Sequence, residues 1–133
     1  MIESAQEFIR LRYSENPQDY QRASTDEASY DVWIEVIAHH QQARMWVAQN
    51  KSVPLEILQI LAADPDPSVR VMVAMKRKLT PDILDQLASD PDESVRLAVA
   101  RNKKASKGTL ERLLSDDWGE VRSVARERLG FSS

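Results

Sequence analysis

Apolar residues recur along this chain in short segments with helical spacing, and three segments superimpose at a fixed offset of 26 residues. In each, leucines three residues apart precede an Asp, and a Val-Arg pair follows. The matching residues are Leu58, Leu61, Asp64, Val69, Arg70, Val73 and Ala74; Leu84, Leu87, Asp90, Val95, Arg96, Val99 and Ala100; and Leu110, Leu113, Asp116, Val121, Arg122, Ala125 and Arg126. This spacing predicts amphipathic helices, and the period predicts stacked supersecondary units rather than one closed core.

Each repeat is predicted to hold two short helices separated by a turn. The turn reads Asp-Pro-Asp in residues 64–66 and 90–92, and Asp-Asp-Trp in residues 116–118. Proline ends the first helix, and the Asp that follows it can cap the second. Thr80 is a predicted N-cap, and Pro81 occupies the first helical position, where its missing N–H is not needed.

A degenerate repeat precedes these three. It keeps Arg44 in register with Arg70 but lacks the Asp-Pro turn. Ser24 and Glu27 match the spacing of a capping box, which predicts the start of the first helix of this repeat. Before it, residues 2–13 and 17–23 predict one or two extra helices that cover the open end of the stack.

The predicted fold is therefore all-α: a short right-handed α-solenoid of about four 26-residue helical hairpins with N-terminal capping helices. We expect seven to nine helices, no strands and one structural domain. The predicted boundaries are 1–30 for the capping helices and 31–52, 53–78, 79–104 and 105–133 for the repeats.

Composition narrows the classes of function. With no cysteine, the chain has no disulfide, no thiolate metal site and no cysteine nucleophile. We see no signal peptide and no run of about 18 apolar residues, so the expectation is a soluble cytoplasmic protein. Residues 1–50 carry four basic and eight acidic residues, and residues 51–133 carry fourteen and thirteen. This asymmetry opposes attraction of nucleic acid to the whole surface but leaves room for a local basic stripe.

The repeated wording Leu-x-x-Leu-Ala-x-Asp-Pro-Asp-x-x-Val-Arg resembles the HEAT repeat and its bacterial relative, the leucine-rich-repeat variant (LRV). The resemblance covers residues 31–129. It implies an armadillo-like α-solenoid in which the matching Asp and Arg residues form a hydrogen-bonded ladder between repeats. The residues to which this role carries over are Asp64, Asp90, Asp116, Arg70, Arg96 and Arg122. Arg44 continues the arginine column, although its repeat has no Asp at the turn.

Two other readings of the basic residues stay open. The arginine column could track a phosphate backbone instead of forming a ladder. A second set of cations lies where each second helix ends, and stacking would align it into a basic ridge. Its members are Lys51, Arg77 and Lys103 in one column, Lys78 and Lys104 in the next, and Lys76, Arg101 and Lys107 close by. The alternative is that these cations only complement the helix macrodipole.

Aromatic and histidine residues supply the remaining candidates. Trp46 and Trp118 lie off the best apolar positions and are candidate binding hot spots, with packing as the alternative. Trp33 is expected in the core. The adjacent His39 and His40 fit a polar turn better than a metal pair, because no third ligand completes a site. We predict no catalytic residue, metal or cofactor, and the chain has no Gly-rich phosphate loop.

The function predicted first is a non-catalytic protein-binding or scaffold module that uses the concave face of the solenoid. By analogy with small bacterial solenoids, it would serve as an immunity, antitoxin-type or adaptor protein. The predicted partner-binding residues are Arg44, Trp46, Lys51, Lys76, Arg77, Lys78, Arg101, Lys103, Lys104 and Trp118. The alternative is nucleic-acid backbone binding through the basic ridge. This mode of binding would resemble that of the HEAT-like alkylpurine DNA glycosylases. Because their catalytic residues have no match here, an enzyme is the least favoured class of function.

Overall fold

The computed structural model describes residues 1–131 and is all-helical, which confirms the prediction of an all-α protein. It has ten α-helices, more than the seven to nine expected, because both N-terminal segments are helical and each predicted repeat contributes two. Their bounds are α1 Ala5–Tyr13, α2 Pro17–Thr25, α3 Tyr30–His39, α4 Arg44–Gln49, α5 Leu55–Leu61, α6 Pro67–Ala74, α7 Pro81–Leu87, α8 Glu93–Arg101, α9 Lys107–Leu113 and α10 Gly119–Arg128. Within this part of the chain, no helix has the length and apolar character of a membrane span.

The chain divides into two compact units, and the first is Met1–Leu61. Helices α1 to α5 surround a core that includes Phe8 and Trp33, both fully buried. Their rings meet edge to face with centroids 5.2 Å apart. Aromatic pairs prefer this geometry. Trp33 is therefore a core residue, as expected.

The capping box predicted at Ser24 and Glu27 is wrong. Ser24 lies in the last turns of α2, where its hydroxyl donates to the Tyr20 carbonyl at 3.1 Å. Helix α3 is capped instead by Ser29, whose hydroxyl accepts from the Val32 N–H. Residues 26–29 stay extended because the Ile2 N–H donates to the Glu27 carbonyl at 2.8 Å. Ile2 and Glu27 are far apart in sequence, so local spacing did not reveal this contact.

The second unit begins at Ala62 and contains α6 to α10. Helix α8 is its central element and packs against α6, α7, α9 and α10. The apolar positions of the repeat supply the core, and the residues that are buried are Val69, Val73, Leu84, Leu87, Val95, Val99, Leu110, Leu113, Val121 and Ala125.

Three helix starts in the second unit follow the predicted capping chemistry. Asp66 and Asp92 accept hydrogen bonds from backbone N–H groups two residues later, at 2.9 and 2.7 Å. Thr80 caps α7, and Pro81 is its first residue. Each repeat therefore turns at an Asp and starts its second helix at a fixed register. That register brings the arginines of α6 and α8 to corresponding positions.

Candidate functional site

Two arginines of the second unit each bind the turn aspartate of the next repeat. Arg70 Nε lies 2.7 Å from Asp90 Oδ2, and its Nη2 lies 3.1 Å from Oδ1. Arg96 holds Asp116 the same way, at 2.7 and 3.2 Å. The arginine side chains are 13% and 15% exposed, and the aspartates 6% and 5%. Bidentate hydrogen bonds between charged groups are stronger than those between neutral groups, and they fix orientation as well as distance.

Each arginine is also held by the turn of its own repeat. Arg70 Nη1 donates to the Asp64 carbonyl at 2.7 Å, and Arg96 Nη1 donates to the Asp90 carbonyl at 2.8 Å. Arg122 makes the same contact with the Asp116 carbonyl at 2.6 Å. Arg122 differs in one respect: no carboxylate of residues 1–131 forms an ion pair with it.

The ion pairs shift the pKa values of Arg70, Arg96 and Asp116. The hydrogen bonds to Asp90 and Asp116 raise the pKa of Arg70 and of Arg96. Burial by itself would raise the pKa of Asp116. The hydrogen bonds from Arg96 and from the Trp118 N–H outweigh burial, so the pKa of Asp116 falls below its ordinary value. The ionised form of Asp116 therefore stabilises the fold.

Asp116→Asn is expected to reduce the acid sensitivity of the protein. A carboxyl whose folded pKa is depressed adds stability above its unfolded pKa, about 3.9, and loses it as pH falls through the folded value. Urea unfolding at pH 6 and near pH 3 should show the gap between the native protein and this variant shrinking at low pH. Asp117→Asn, on an exposed neighbour, controls for the loss of one charge. An equal gap at both pH values would contradict the prediction.

A column of polar side chains joins successive repeats through backbone carbonyls. Asn102 Nδ2 donates to the carbonyls of Ala74 and Lys76 at 2.7 and 3.0 Å. Arg128 Nη1, 26 residues later, donates to the carbonyls of Ala100 and Asn102 at 2.7 and 3.0 Å. In the first unit, the fully buried Asn50 similarly bonds two carbonyls, those of residues 23 and 26. This column was not predicted from the sequence.

Asn102 also explains why cations converge in the second unit. Its amide joins the loop after α8 to the loop after α6, and its Oδ1 accepts the Lys104 N–H at 2.8 Å. The basic residues that follow each helix are thereby held side by side. Arg77 comes from the first loop, and Lys103 and Lys104 come from the second; all three are exposed.

These residues border a surface depression, which we name the α6–α8 groove. It consists of two adjoining pockets of about 410 and 310 Å³. The first is mainly apolar and is lined by Val71, Met75, Ser94, Leu97, Ala98, Arg101 and Asn102. The second is basic and is lined by Met75, Arg77, Arg101, Asn102, Lys103 and Lys104. The groove therefore brings together four of the predicted partner-binding residues.

Other predicted cations lie outside this lining. Lys76 occupies the register position of Asn50 and Asn102 and is half-buried. Lys78 is exposed by surface area, yet nearby protein atoms desolvate its ammonium and lower its pKa. Lys51 lies in the first unit, where its N–H donates to the Ser24 carbonyl at 2.8 Å.

In the first unit, Trp46 belongs to an aromatic cluster. The Arg12 guanidinium lies 4.5 Å from the centre of the Tyr20 ring and 4.6 Å from that of Trp46. Tyr13 meets Trp46 edge to face at 5.1 Å and is 63% exposed. Arg44, in the same helix as Trp46, donates from Nε to the Ile37 carbonyl at 2.9 Å. Trp, Tyr and Arg are the side chains most enriched at binding hot spots, although here they also pack on one another.

Trp118 lies at the N-cap position of α10 and is half-buried. Its indole does not cap the helix; instead its backbone N–H donates to Asp116 Oδ1 at 2.9 Å. Its position is thus set by the aspartate that Arg96 also holds.

The histidines do not form a site with other ligands. His39 ends α3 and His40 is its C-cap. Across residues 1–131, no three His, Asp or Glu side chains gather closely enough to hold a metal ion.

Two signals in the sequence could have revealed more of this site. Asn50 and Asn102 are separated by twice the repeat period, and Arg128 follows one period later. The apolar side of the groove also recurs at one period, since Val71 and Leu97 are in register.

In comparisons with known proteins, no family, no curated protein and no solved structure matches this chain.

Proposed function

We propose that this protein is a non-catalytic protein-binding module and that the α6–α8 groove receives the partner. The observation that carries the proposal is the junction of an apolar pocket with a basic one. Met75, 61% exposed, lines both. Methionine adapts to irregular partner surfaces, and arginine anchors them. Depressions with an apolar floor and a few polar groups are typical recognition sites.

The proposal includes the architecture. We infer that the repeats form a short right-handed α-solenoid of the HEAT or LRV kind, with the second helix of each hairpin on the concave face. Three contacts support this: α8 packs between α6 and α10, Arg70 binds Asp90, and Arg96 binds Asp116. A bacterial immunity or adaptor role in the cytoplasm would suit such a scaffold, and it rests on the resemblance alone.

Nucleic-acid backbone binding is the second candidate, and the convergence of Arg77, Arg101, Lys103 and Lys104 favours it. Phosphate contacts would make the logarithm of the affinity fall with the logarithm of salt, by about 0.9 per phosphate. A protein interface with an apolar centre depends less on salt. This difference separates the two candidates in one experiment.

Charge reversal in the groove is expected to abolish partner binding. The variant is Arg77→Glu with Lys103→Glu, and the assay is a tagged pull-down from lysate with and without nuclease, at low and moderate salt. We expect a discrete protein that survives nuclease and salt with the native chain and is lost with the variant. Both residues are exposed, so the helical circular dichroism signal should be unchanged.

The matched control is Arg10→Glu with Lys107→Glu, which changes the net charge equally. Arg10 is 61% exposed in a weak surface pair, and Lys107 opens α9, where a Glu suits the helix dipole. Neither lines the groove, so the control should retain the partner. A partner kept by the groove variant would refute the site. Nucleic acid that leaves with salt would support the second candidate instead.

A further inference from the structure

We infer that the partner presents an apolar side chain followed by carboxylates, so that an acidic amphipathic segment occupies the α6–α8 groove. The inference rests on the proposed function, because it names the chemistry of the partner at that same groove. The two pockets require different chemistries of one ligand, because one is mainly apolar and the other is basic.

The larger pocket selects the apolar anchor. Its lining includes Val71, Met75, Leu97 and Ala98, and the surface of this pocket is mainly apolar. Covering the exposed Met75 removes apolar surface from water, which favours an aliphatic or aromatic side chain. The polar residues in that lining, among those the structure describes, are Ser94, Arg101 and Asn102. A purely polar ligand would therefore meet mostly apolar surface in this pocket.

The smaller pocket selects the carboxylates. Arg77, Lys103 and Lys104 all line it, and in the described chain none of the three takes part in an ion pair. Three like charges around one depression of about 310 Å³ repel each other, and an anion relieves that repulsion. Because Met75 and Arg101 line both pockets, an anchor and an acid on one short segment can occupy both.

The lining favours a peptide over a nucleic acid. Proteins that bind single strands combine a basic groove with aromatic side chains on which bases stack. Among residues 1–131, no aromatic side chain lines either pocket. The anion beside the apolar anchor is therefore assigned as a carboxylate of a peptide, and an oligonucleotide serves as the competing probe.

One carboxylate of the protein itself contacts a cation of the groove, although it lines neither pocket. Glu120 Oε1 lies 3.3 Å from Arg101 Nη2, in a pair whose side chains are 49% and 59% exposed. Exposed pairs of this kind contribute little to stability. The negative charge of Glu120 opposes a second carboxylate beside Arg101, so we expect Glu120 to weaken binding of an acidic ligand. Glu120→Gln should therefore strengthen binding of an acidic segment, a gain that a merely unfolded variant cannot produce.

The test is an NMR titration of the isotopically labelled full chain with a synthetic peptide that has a Leu followed by several Glu in a Gly-Ser context. Changes in the backbone amide chemical shifts detect even weak binding in solution. Matched peptides replace every Glu with Gln, or the Leu with Ser, and an oligonucleotide forms the fourth probe. We expect shifts at Met75, Lys103 and Lys104 with the Leu-Glu peptide, and affinities at least about tenfold weaker for both matched peptides. Glu120→Gln should tighten the Leu-Glu complex about two- to fivefold, and Arg77→Glu with Lys103→Glu should remove it.

The outcomes separate this inference from the proposed function. Equal binding of the Gln peptide would overturn the acidic partner while leaving protein binding in place. Absence of shifts with every peptide would overturn it too, even if the pull-down still yields a groove-dependent protein. Preference for the oligonucleotide, with steep salt dependence, would overturn both. Weaker binding by Glu120→Gln would show that Glu120 supports the site rather than competes for it.

Discussion

Arg96→Ala is expected to lower the free energy of unfolding by about 2–3 kcal/mol, because it removes charge-assisted hydrogen bonds and leaves Asp116 unpaired at 5% exposure. Both Nε and Nη2 of Arg96 contact that carboxylate, and Nη1 holds the turn of its own repeat. The loss should appear as a lower midpoint in urea unfolding, with an unchanged slope.

Arg122→Ala is the matched control. Arg122 keeps the contact with its own turn but has no ion pair within residues 1–131, and it is exposed. Its replacement should cost about 1 kcal/mol or less, the value of hydrogen bonds at an exposed site. If the two variants lose equal stability, the carboxylate contact is not what Arg96 contributes. If Arg96→Ala melts like the native protein, the ladder assignment fails.

Asn102→Asp is expected to be at least as damaging, by about 3 kcal/mol. The change removes an amide that donates to two carbonyls and places a carboxylate against the same oxygens, at a side chain that is only 8% exposed. Because Asn102 joins the loops after α6 and α8, the variant should also weaken binding in the groove. Chemical unfolding and the peptide titration measure the two effects on one sample.

Asn16→Asp provides the same chemical change where it should be harmless. Asn16 caps α2 through its Oδ1, which accepts the Gln18 N–H at 2.9 Å. Asp caps helices about as well as Asn, so stability should change by a few tenths of a kcal/mol at most. A large loss there, or no loss at Asn102, would show that the carbonyl contacts are not the cause.

Local chemistry was enough to predict most of the helices of this protein. The caps at Thr80, Asp66 and Asp92 and the turn prolines act within a few residues, so their spacing carries the information. The capping box at Ser24 failed for the opposite reason. The strand-like contact of Ile2 with Glu27 holds that segment extended, and it joins residues far apart in sequence.

Only part of the candidate site could be predicted from the sequence. The column of Arg77 and Lys103 follows from the repeat, but the apolar pocket next to it depends on how α6 packs on α8. The neighbours of Trp46 were equally hidden, since Arg12 and Tyr20 come from α1 and α2. Contacts of this kind arise from packing, which periodicity within one helix does not encode.

The column of polar side chains that bond backbone carbonyls, Asn102 and Arg128, bears on how such repeats diverge in sequence. An Arg–Asp pair joins two side chains, so replacing either residue removes the contact of the other. Asn102 and Arg128 instead bond to main-chain oxygens, which every residue possesses. Any donor of suitable reach meets the requirement, and one substitution at a time preserves it. This position therefore accommodates Asn in one repeat and Arg in another, whereas the loss of one member of an Arg–Asp pair removes the contact of the other.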